Sequence, residues 1–333
     1  MDLNGLLAYA INNNASDLHL STGLSPIIRV DGHLERLNLP VIGQEEMARL
    51  LLDLRSKTQN DLLRKEADVD FAFQFNEHYR LRTHLFKQAR GISAVFRVIP
   101  AKVKTFEELG FPAVFKQIAS YPNGLVLITG ATGSGKSTTL AAFIHYMNSH
   151  FQKHIITLED PIEFIHESKN CLIHQREIHC HTPHFTGALR SVLREDPNII
   201  LLGELRDPET IRLAITAAET GHLVLATLHT TSAAKAVHRM IDAFPGDEKT
   251  VMRALLSESL QAVITQTLLR KAGGGRMAAF EIMICTPGIR NLIRENKIAQ
   301  IYSSIQTSQN LGMQTLEQHV TKLMESNSLE EII

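Results

Sequence analysis

The segment between residues 130 and 137 constrains the fold of this chain more than any other. It reads Gly130-Ala-Thr-Gly-Ser-Gly-Lys136-Ser137 and matches the pattern G-x-x-x-x-G-K-[ST] throughout. Glycine tolerates the backbone angles that turn successive N–H groups inward toward phosphate oxygens, and a helix that begins beside the loop adds a positive partial charge. The pattern therefore predicts a buried strand, a phosphate-binding loop and a helix, in that order.

This loop supplies most of the contacts that a nucleoside triphosphate needs. We predict that Lys136 reaches the β- and γ-phosphates and that the Ser137 hydroxyl binds Mg²⁺. ATP and Mg²⁺ are accordingly the expected cofactors. The predicted nucleotide-binding residues of the loop are Gly130, Ala131, Thr132, Gly133, Ser134, Gly135, Lys136, Ser137 and Thr138.

Length and composition limit the number of domains, the kinds of partner and the cellular location expected of this chain. The chain has 333 residues, which is typical of two domains, and a formal net charge of −1. A protein that mainly binds nucleic acid carries a basic excess, so no nucleic-acid partner is expected. No apolar run approaches the ~18 residues that span a bilayer, and the first residues lack the basic start of a signal peptide. The three cysteines do not make a disulfide framework, so we expect a cytoplasmic protein.

The first hundred residues predict a small α+β domain. Residues 44–65 have helical periodicity, and Asp31-Gly32 is typical of a hairpin turn. We assign residues 1–100 to this domain and residues 101–112, which show no clear period, to a linker. The predicted strands are residues 17–20, 26–30, 69–75, 79–87 and 92–99.

Residues 113–333 follow a different pattern, in which short apolar strands alternate with helical stretches. That alternation is typical of an α/β domain with a mostly parallel sheet and helices on its faces. The last third looks mainly helical, with one apolar stripe that runs from Met252 through Leu260 to Val263. The clearest predicted elements are the strands at 125–129, 155–158, 199–202 and 223–227 and the helix at 136–149.

Hydrolysis needs carboxylates, one to orient or activate water and one to support the metal ion. Ligands of a parallel sheet bind at the carboxyl ends of its strands, so acidic residues just after a strand are the candidates. Glu159, Asp160 and Glu163 follow one predicted strand, and Glu204 follows another. Capping of a helix or turn is the alternative for Glu159 and Asp160. Glu204 has little structural reason to stand at the end of a core strand.

Two histidines bracket the strand predicted at 223–227. At roughly 3.3 Å per residue, His222 and His229 lie too far apart to touch one γ-phosphate. We predict that His229, at the carboxyl end, senses the phosphate. His222 could equally anchor the core or contact another subunit. A histidine-rich stretch at 166–184 has spacings that fit no closed zinc site, so a solvated hairpin is the favoured interpretation and zinc the alternative.

Taken together, these motifs resemble the secretion ATPase superfamily, and its pilus-retraction branch in particular. Members carry a P-loop, an acidic box, an atypical Walker B element and a histidine box in the order seen here. The four motifs correspond to residues 130–137, 157–164, 199–204 and 216–229. Further stretches also resemble the retraction branch. They are residues 16–20, 29–32, 189–196, 203–207, 218–222 and 288–295.

The resemblance implies a PAS-like N-terminal domain, a RecA-like ATPase domain and a homohexameric ring. It implies ATP-driven removal of pilin subunits at the cytoplasmic face of the inner membrane. The ring would act there with a pilus platform protein and would reach the membrane only through such partners. Glu163 is implied as the general base, and Glu204 as a residue of the metal site. Pilus extension and type II secretion ATPases are the alternatives, but they usually carry a four-cysteine zinc loop that this sequence lacks.

The N-terminal domain holds a row of arginines. Arg80 and Arg82 are two apart on one predicted strand and so share a face, and Arg97 lies on the neighbouring strand. We predict that all three bind the nucleotide of an adjacent subunit, where an arginine can raise the rate by ~10³ or more. A solvated sheet face is the alternative for these three, and Arg206 and Arg194 could instead supply charge near the loop in cis.

Two other function classes use the same nucleotide fold. One is a RecA- or helicase-type nucleic-acid motor, which the balanced charge disfavours. The other is a regulatory switch that binds nucleotide with little turnover.

A further expectation concerns the predicted helix at 289–294, whose apolar residues Ile289, Leu292 and Ile293 we assign to coupling with retraction rather than to hydrolysis.

Overall fold

The computed structural model describes residues 1–51 and 68–329. Its packing divides the chain into two units. The first comprises Met1–Lys102 with Asp160–Ile165, and the second comprises Val103–Glu159 with His166–Ile333. No helix within the described ranges is long and apolar enough to cross a membrane.

In its described residues, 1–51, 68–102 and 160–165, the first unit is a six-stranded antiparallel sheet with two helices, as expected of a small α+β domain. The strand order is β3-β2-β1-β6-β5-β4. The start of the helix predicted at 44–65 is confirmed, but residues 52–67 lie outside the described part of the chain. The first helix, whose N-terminus is capped by the Asp2 side chain, was not predicted. The elements are α1 (Leu3–Asn12), β1 (Asp17–Ser21), β2 (Ile27–Val30), β3 (His33–Arg36), α2 (Gln44–Leu50), β4 (Asp68–Gln74), β5 (Tyr79–Gln88) and β6 (Gly91–Pro100).

Alternation along β5 gives this sheet two different faces. Leu81 and Leu85 are fully buried in the core that α1 and α2 cover. Arg80 and Arg82 point to the opposite face, and Arg82 pairs across the strands with Arg97 on β6. The predicted row of arginines on one face is therefore confirmed.

The second unit is a seven-stranded sheet in the order β13-β12-β7-β11-β10-β8-β9. All neighbouring pairs are parallel except β12 and β13, which form an antiparallel hairpin. Its strands are β7 (Gly124–Thr129), β8 (His154–Glu159), β9 (Leu172–Glu177), β10 (Ile199–Leu202), β11 (Leu223–Leu228), β12 (Leu260–Arg270) and β13 (Arg276–Ile284). Its α-helices are α3 (Val114–Ala119), α4 (Lys136–His150), α5 (Phe185–Val192), α6 (Pro208–Glu219), α7 (Ala233–Asp242), α8 (Lys249–Ser259), α9 (Pro287–Arg294), α10 (Ile301–Thr307) and α11 (Leu316–Glu325).

Helices cover both faces of this sheet, which explains the uninterrupted apolar runs in its central strands. Leu125 and Leu127 of β7 pack into one core with residues of α5 to α10. Val126 and Ile128 pack into the other, with α3 and α4. The expected RecA-like α/β architecture is confirmed.

Two sequence-based expectations for this unit need correction. The apolar stripe from Met252 is not one helix, because α8 ends at Ser259 and Leu260 and Val263 belong to β12. The histidine-rich stretch is not a hairpin, since β9 is a parallel edge strand beside β8. The described residues contain no group of three potential metal ligands.

Most of the predicted linker packs with the second unit, where Phe106 is buried among other aromatic rings.

The helix predicted at 289–294 exists as α9, but its apolar stripe faces the core. Ile289 and Ile293 are almost completely buried. The Arg290 guanidinium donates to the Ser257 carbonyl at 2.7 Å and to Gln261 Oε1 at 2.8 Å, which ties the helix to the junction of α8 and β12. The apolar stripe of α9 is therefore part of the core of the second unit. The assignment of this helix to coupling with retraction stays a prediction.

A neutral histidine stabilises the C-terminal part of this unit. His319 of α11 accepts the Phe280 backbone N–H at its Nδ1 at 2.9 Å, and its ring stacks on the Phe280 ring. Burial lowers the pKa of His319 from 6.5 to about 4. The unfolded chain therefore takes up this proton before the folded chain does. The contribution of His319 to stability is complete above pH 6.5 and is lost as the pH falls toward 4.

We predict that His319→Gln flattens the acid side of the stability profile, because glutamine can accept the same N–H without titrating. The measurement is the urea midpoint between pH 7 and 4.5. Wild type should lose stability more steeply than the variant below pH 6.5. His184→Gln, an exposed histidine of the same unit, is the control and should follow wild type. Parallel profiles for wild type and His319→Gln would contradict this role.

Candidate nucleotide-binding and active site

The segment from Gly130 to Ser137 forms the predicted loop between β7 and α4. Three of its glycines adopt positive φ angles, 147° at Gly130, 79° at Gly133 and 89° at Gly135. Residues with a side chain rarely adopt these angles. The glycine positions of the motif are thus explained by the backbone path.

Gly130 is required for a second reason, which is close packing. A Cβ atom at this position would lie 2.4 Å from the carbonyl oxygen of Gln266 on β12 and 2.5 Å from Ser134 Oγ. Both contacts are far inside van der Waals distance, and one partner is backbone. The start of the loop therefore lies directly against β12.

The Lys136 ammonium is held by the loop itself. It donates to the carbonyl oxygens of Gly130 at 2.8 Å and Ala131 at 3.0 Å. Lysine donates three hydrogen bonds from a compact charge, so a phosphate can be bound by exchange of these partners.

Two further side chains meet beside the loop at the carboxyl ends of neighbouring strands. Glu204 lies just after β10, and His229 directly follows β11. His229 Nε2 is 3.3 Å from Glu204 Oε1, and His229 Nδ1 is 3.5 Å from the hydroxyl of Thr132 in the loop. The structure thus brings together the predicted loop, metal-site residue and phosphate sensor.

Hydrogen bonds fix the turn that carries Glu204. The Leu205 N–H donates to the Thr227 carbonyl at 3.1 Å, and the Thr227 hydroxyl donates to the Gly203 carbonyl. Arg206 pairs with Glu204 Oε2 at 2.9 Å, so this cation lies in cis beside the site. The carboxylate is therefore oriented from both sides by its own chain.

His222 lies at the opposite end of β11, as predicted. Its Nδ1 lies 3.0 Å from the Ala217 carbonyl in the last turn of α6. This contact supports the core-anchoring interpretation of the two that the sequence left open.

The acidic box divides between the two units. Glu159 ends β8 in the second unit, where its Oε1 accepts from the Thr157 hydroxyl at 2.7 Å and the Gln175 amide at 3.2 Å. Glu163 packs with the first unit, where its Oε1 pairs with Arg82 Nη1 at 3.0 Å. Arg80 is buried and donates to the carbonyls of Ile162 at 3.3 Å and Glu163 at 3.1 Å.

All three predicted arginines are therefore engaged by groups of their own chain. Arg97 completes the set through an ion pair with Asp17 of β1 at 3.0 Å. Sequence reasoning placed the arginines on one face but did not foresee these partners, because an ion pair across strands depends on sheet register.

Sequence reasoning also missed Gln266 and its partner Thr139. Gln266 Nε2 donates to the Ser134 carbonyl at 2.6 Å, and Gln266 Oε1 accepts from the Thr139 hydroxyl at 2.8 Å. No sequence signal could have found this contact, since Gln266 stands far from the loop in the chain and belongs to no motif.

The donors at the site fit a nucleotide with a hard divalent cation. The Ser137 hydroxyl and the Glu204 carboxylate are oxygen ligands, which Mg²⁺ prefers, alongside phosphate oxygens. The loop N–H groups and the start of α4 suit an anion. A nucleotide-binding site is the function class that this fold and geometry define.

Comparison with known proteins agrees with that class. The family model described as "Type II/IV secretion system protein" matches residues 1–332. This chain therefore belongs to the type II/IV secretion system protein family, and it is a nucleotide-binding ATPase of the secretion superfamily.

Individual relatives are similar over almost the whole chain. The type IV pilus retraction ATPase PilT of Pseudomonas aeruginosa is 58% identical over 95% of this chain and 92% of its own length. The twitching motility protein of Neisseria gonorrhoeae is 54% identical over 90% of this chain and 80% of its own length. The crystal structure of the pilus retraction motor PilT with bound ADP superposes with a TM-score of 0.88 at 41% identity, covering 99% of this chain and 95% of that one.

The two histidines of β11 provide a matched test of the site. We predict that His229→Asn lowers the turnover number for ATP about 10²-fold, because it removes a polar contact beside the transferring phosphate. His222→Asn, at the other end of the same strand, should stay close to wild type in steady-state phosphate release. An equal loss in both variants would mean that His229 acts through the fold and not at the phosphate.

Proposed function

We propose that this ATPase is the motor that powers retraction of a type IV pilus, working as a homohexamer. The observation that carries the proposal is the cluster of Thr132, Glu204 and His229 around a complete phosphate-binding loop. The identities of 58% and 54% to a retraction ATPase and a twitching motility protein support the direction of movement. The ring acts at the cytoplasmic face of the inner membrane, on a pilus platform protein, and associates with the membrane only through such partners.

Each loop residue has a distinct task in this proposal. The N–H groups of Gly130 to Ser137 bind the phosphates, and Thr138 extends that contact into α4. Lys136 turns from the loop carbonyls to the β- and γ-phosphates. Ser137 and Glu204 would hold Mg²⁺, which when bound would neutralise charge on the transferring group. His229 contacts the γ-phosphate. When that phosphate leaves, the change reaches Glu204 through the 3.3 Å contact between the His229 and Glu204 side chains.

Glu163 is proposed as the general base that takes a proton from the attacking water. Arg82 holds its carboxylate at 3.0 Å and so orients it. Because Arg80 binds the backbone of Ile162 and Glu163, the base is tied to the first unit by main chain and side chain together.

Arg80, Arg82 and Arg97 are proposed to contact the nucleotide of a neighbouring subunit. In the structure these arginines already have partners, which they would have to exchange for the nucleotide. Arg82 would exchange Glu163 for phosphate, and Arg97 would exchange Asp17. Such an exchange couples closure of the ring to release of the base.

The direction of movement is tested in cells. Complementing a deletion strain with Lys136→Ala should give abundant pili that do not retract and no twitching, because the variant loses the charge that faces the phosphates. Lys169→Ala, an exposed lysine of the same unit, is the control and should restore retraction. Live imaging of labelled pili is the measurement. Loss of surface pili in the Lys136→Ala strain would instead indicate an extension motor.

The choice of base is tested by two amide substitutions in the acidic box. Glu163→Gln should keep ATP binding and lose 10²-fold or more in turnover, since an amide cannot accept the proton. Glu159→Gln should hydrolyse ATP, because the Glu159 carboxylate is already bound to Thr157 and Gln175. Nucleotide titration and phosphate release separate binding from chemistry. The reverse ranking would move the base to Glu159.

A further inference from the structure

One buried side chain outside every recognised motif touches both sides of the phosphate loop. Gln266 of β12 is only 3% exposed. Its amide nitrogen donates to the carbonyl oxygen of Ser134 inside the loop at 2.6 Å. Its amide oxygen accepts from the hydroxyl of Thr139 in the first turn of α4 at 2.8 Å. A single carboxamide thus links the loop to the helix that begins at its end.

We propose that Gln266 is a positioning residue for nucleotide phosphates, which acts by orienting the Ser134–Gly135 peptide of the loop. The inference rests on the proposed binding of phosphate by this loop. A trans peptide is planar, and its C=O and following N–H point in opposite directions. By drawing the Ser134 carbonyl toward β12, Gln266 aims the Gly135 N–H away from β12, where a phosphate bound by the loop lies.

The second contact, from the Thr139 hydroxyl to Gln266, fixes the start of α4 relative to the phosphate loop. The Thr139 N–H donates to the Gly135 carbonyl at 3.0 Å, so Thr139 closes the first backbone hydrogen bond of α4. Its hydroxyl is held by Gln266 and is itself buried. The helix N-terminus attracts phosphate only if its N–H groups keep their direction relative to the loop. Gln266 provides that constraint on both segments at once.

Only a carboxamide of this length satisfies both partners. An amide donates at its nitrogen and accepts at its oxygen, whereas an ionised carboxylate only accepts and a thioether does neither well. Without Gln266, the Ser134 carbonyl and the Thr139 hydroxyl lose a buried partner, and both groups would reorient to find another.

The backbone of β12 keeps the carboxamide in place. The Gln266 carbonyl oxygen is in such close contact with Gly130 that no Cβ fits between them. Next to it, the hydroxyls of Thr265 and Thr129 are 2.8 Å apart and connect β12 to β7. A side-chain substitution at position 266 therefore changes the amide contacts while β12 keeps its register.

The test is ADP binding by purified full-length variants, read by displacement of a fluorescent nucleotide. Gln266→Met keeps the length of the side chain but loses both hydrogen bonds. It should raise the ADP dissociation constant about tenfold and raise the KM for ATP in parallel. Thr139→Val, which removes one of the two contacts, should weaken ADP binding less. The double variant should be no weaker than Gln266→Met, because both changes remove the same link.

A matched control separates positioning from stability. Gln314 is another buried glutamine of this unit, and its amide donates to the Phe280 carbonyl at 3.3 Å on β13. Gln314→Met should lower the melting temperature as Gln266→Met does, yet bind ADP within twofold of wild type. If Gln266→Met does not fold, Gln266→Glu serves in its place, since it conserves shape and should also weaken ADP binding.

Two results distinguish failure of this inference from failure of the proposed function. Wild-type ADP affinity in Gln266→Met, together with lost binding in Lys136→Ala, would make Gln266 an ordinary core residue and overturn the inference. Wild-type ADP affinity in Lys136→Ala would overturn the assignment of the loop itself.

Discussion

Parallel pairing of β7, β11 and β10 is the constraint on which the rest of the site depends. In this register Thr129 lies beside Leu228, and Ala226 lies beside Leu202. The carboxyl ends of parallel strands lie at the same edge of the sheet, so the segments that follow these strands begin there. The phosphate loop, His229 and Glu204 therefore emerge side by side, although long stretches of sequence separate them.

The hairpin of β12 and β13 supports that edge from the side. Gln266 holds the loop and the start of α4. Glu281, opposite Thr265 on β13, accepts the Ala233 N–H at 2.6 Å and so caps α7, the helix that follows the His229 segment. Burial raises the pKa of the Glu281 carboxyl above its ordinary value. One hairpin thus anchors the segments on both sides of the predicted phosphate sensor.

Glu163, the proposed general base, packs with the first unit. The chain enters that unit at Asp160 and leaves it at Ile165. Within it, Arg80 holds backbone carbonyls and Arg82 holds the carboxylate. The residue proposed to take the proton from water is therefore held by the arginine face of the first sheet.

Local patterns in the sequence predicted a large part of this structure. Most strands of the first sheet, the four central strands β7, β11, β10 and β8 of the second, the loop between β7 and α4, and the order of the motifs follow from hydrophobic periodicity and from the backbone angles that glycine permits. The errors came where periodicity is ambiguous. The run from Met252 to Val263 has the spacing of a helix, yet its second half is a buried strand, and apolar residues alone do not distinguish the two.

The sequence by itself determined the class of the protein, because a phosphate loop needs particular residues at fixed spacing and the chain shows them. Only the tertiary structure decided which distant residues serve that loop. The contacts of Gln266 with Ser134, of Arg82 with Glu163 and of Arg97 with Asp17 join residues far apart in the chain. Such pairs depend on strand order and register, which follow from the packing of the whole sheet and leave no local signature.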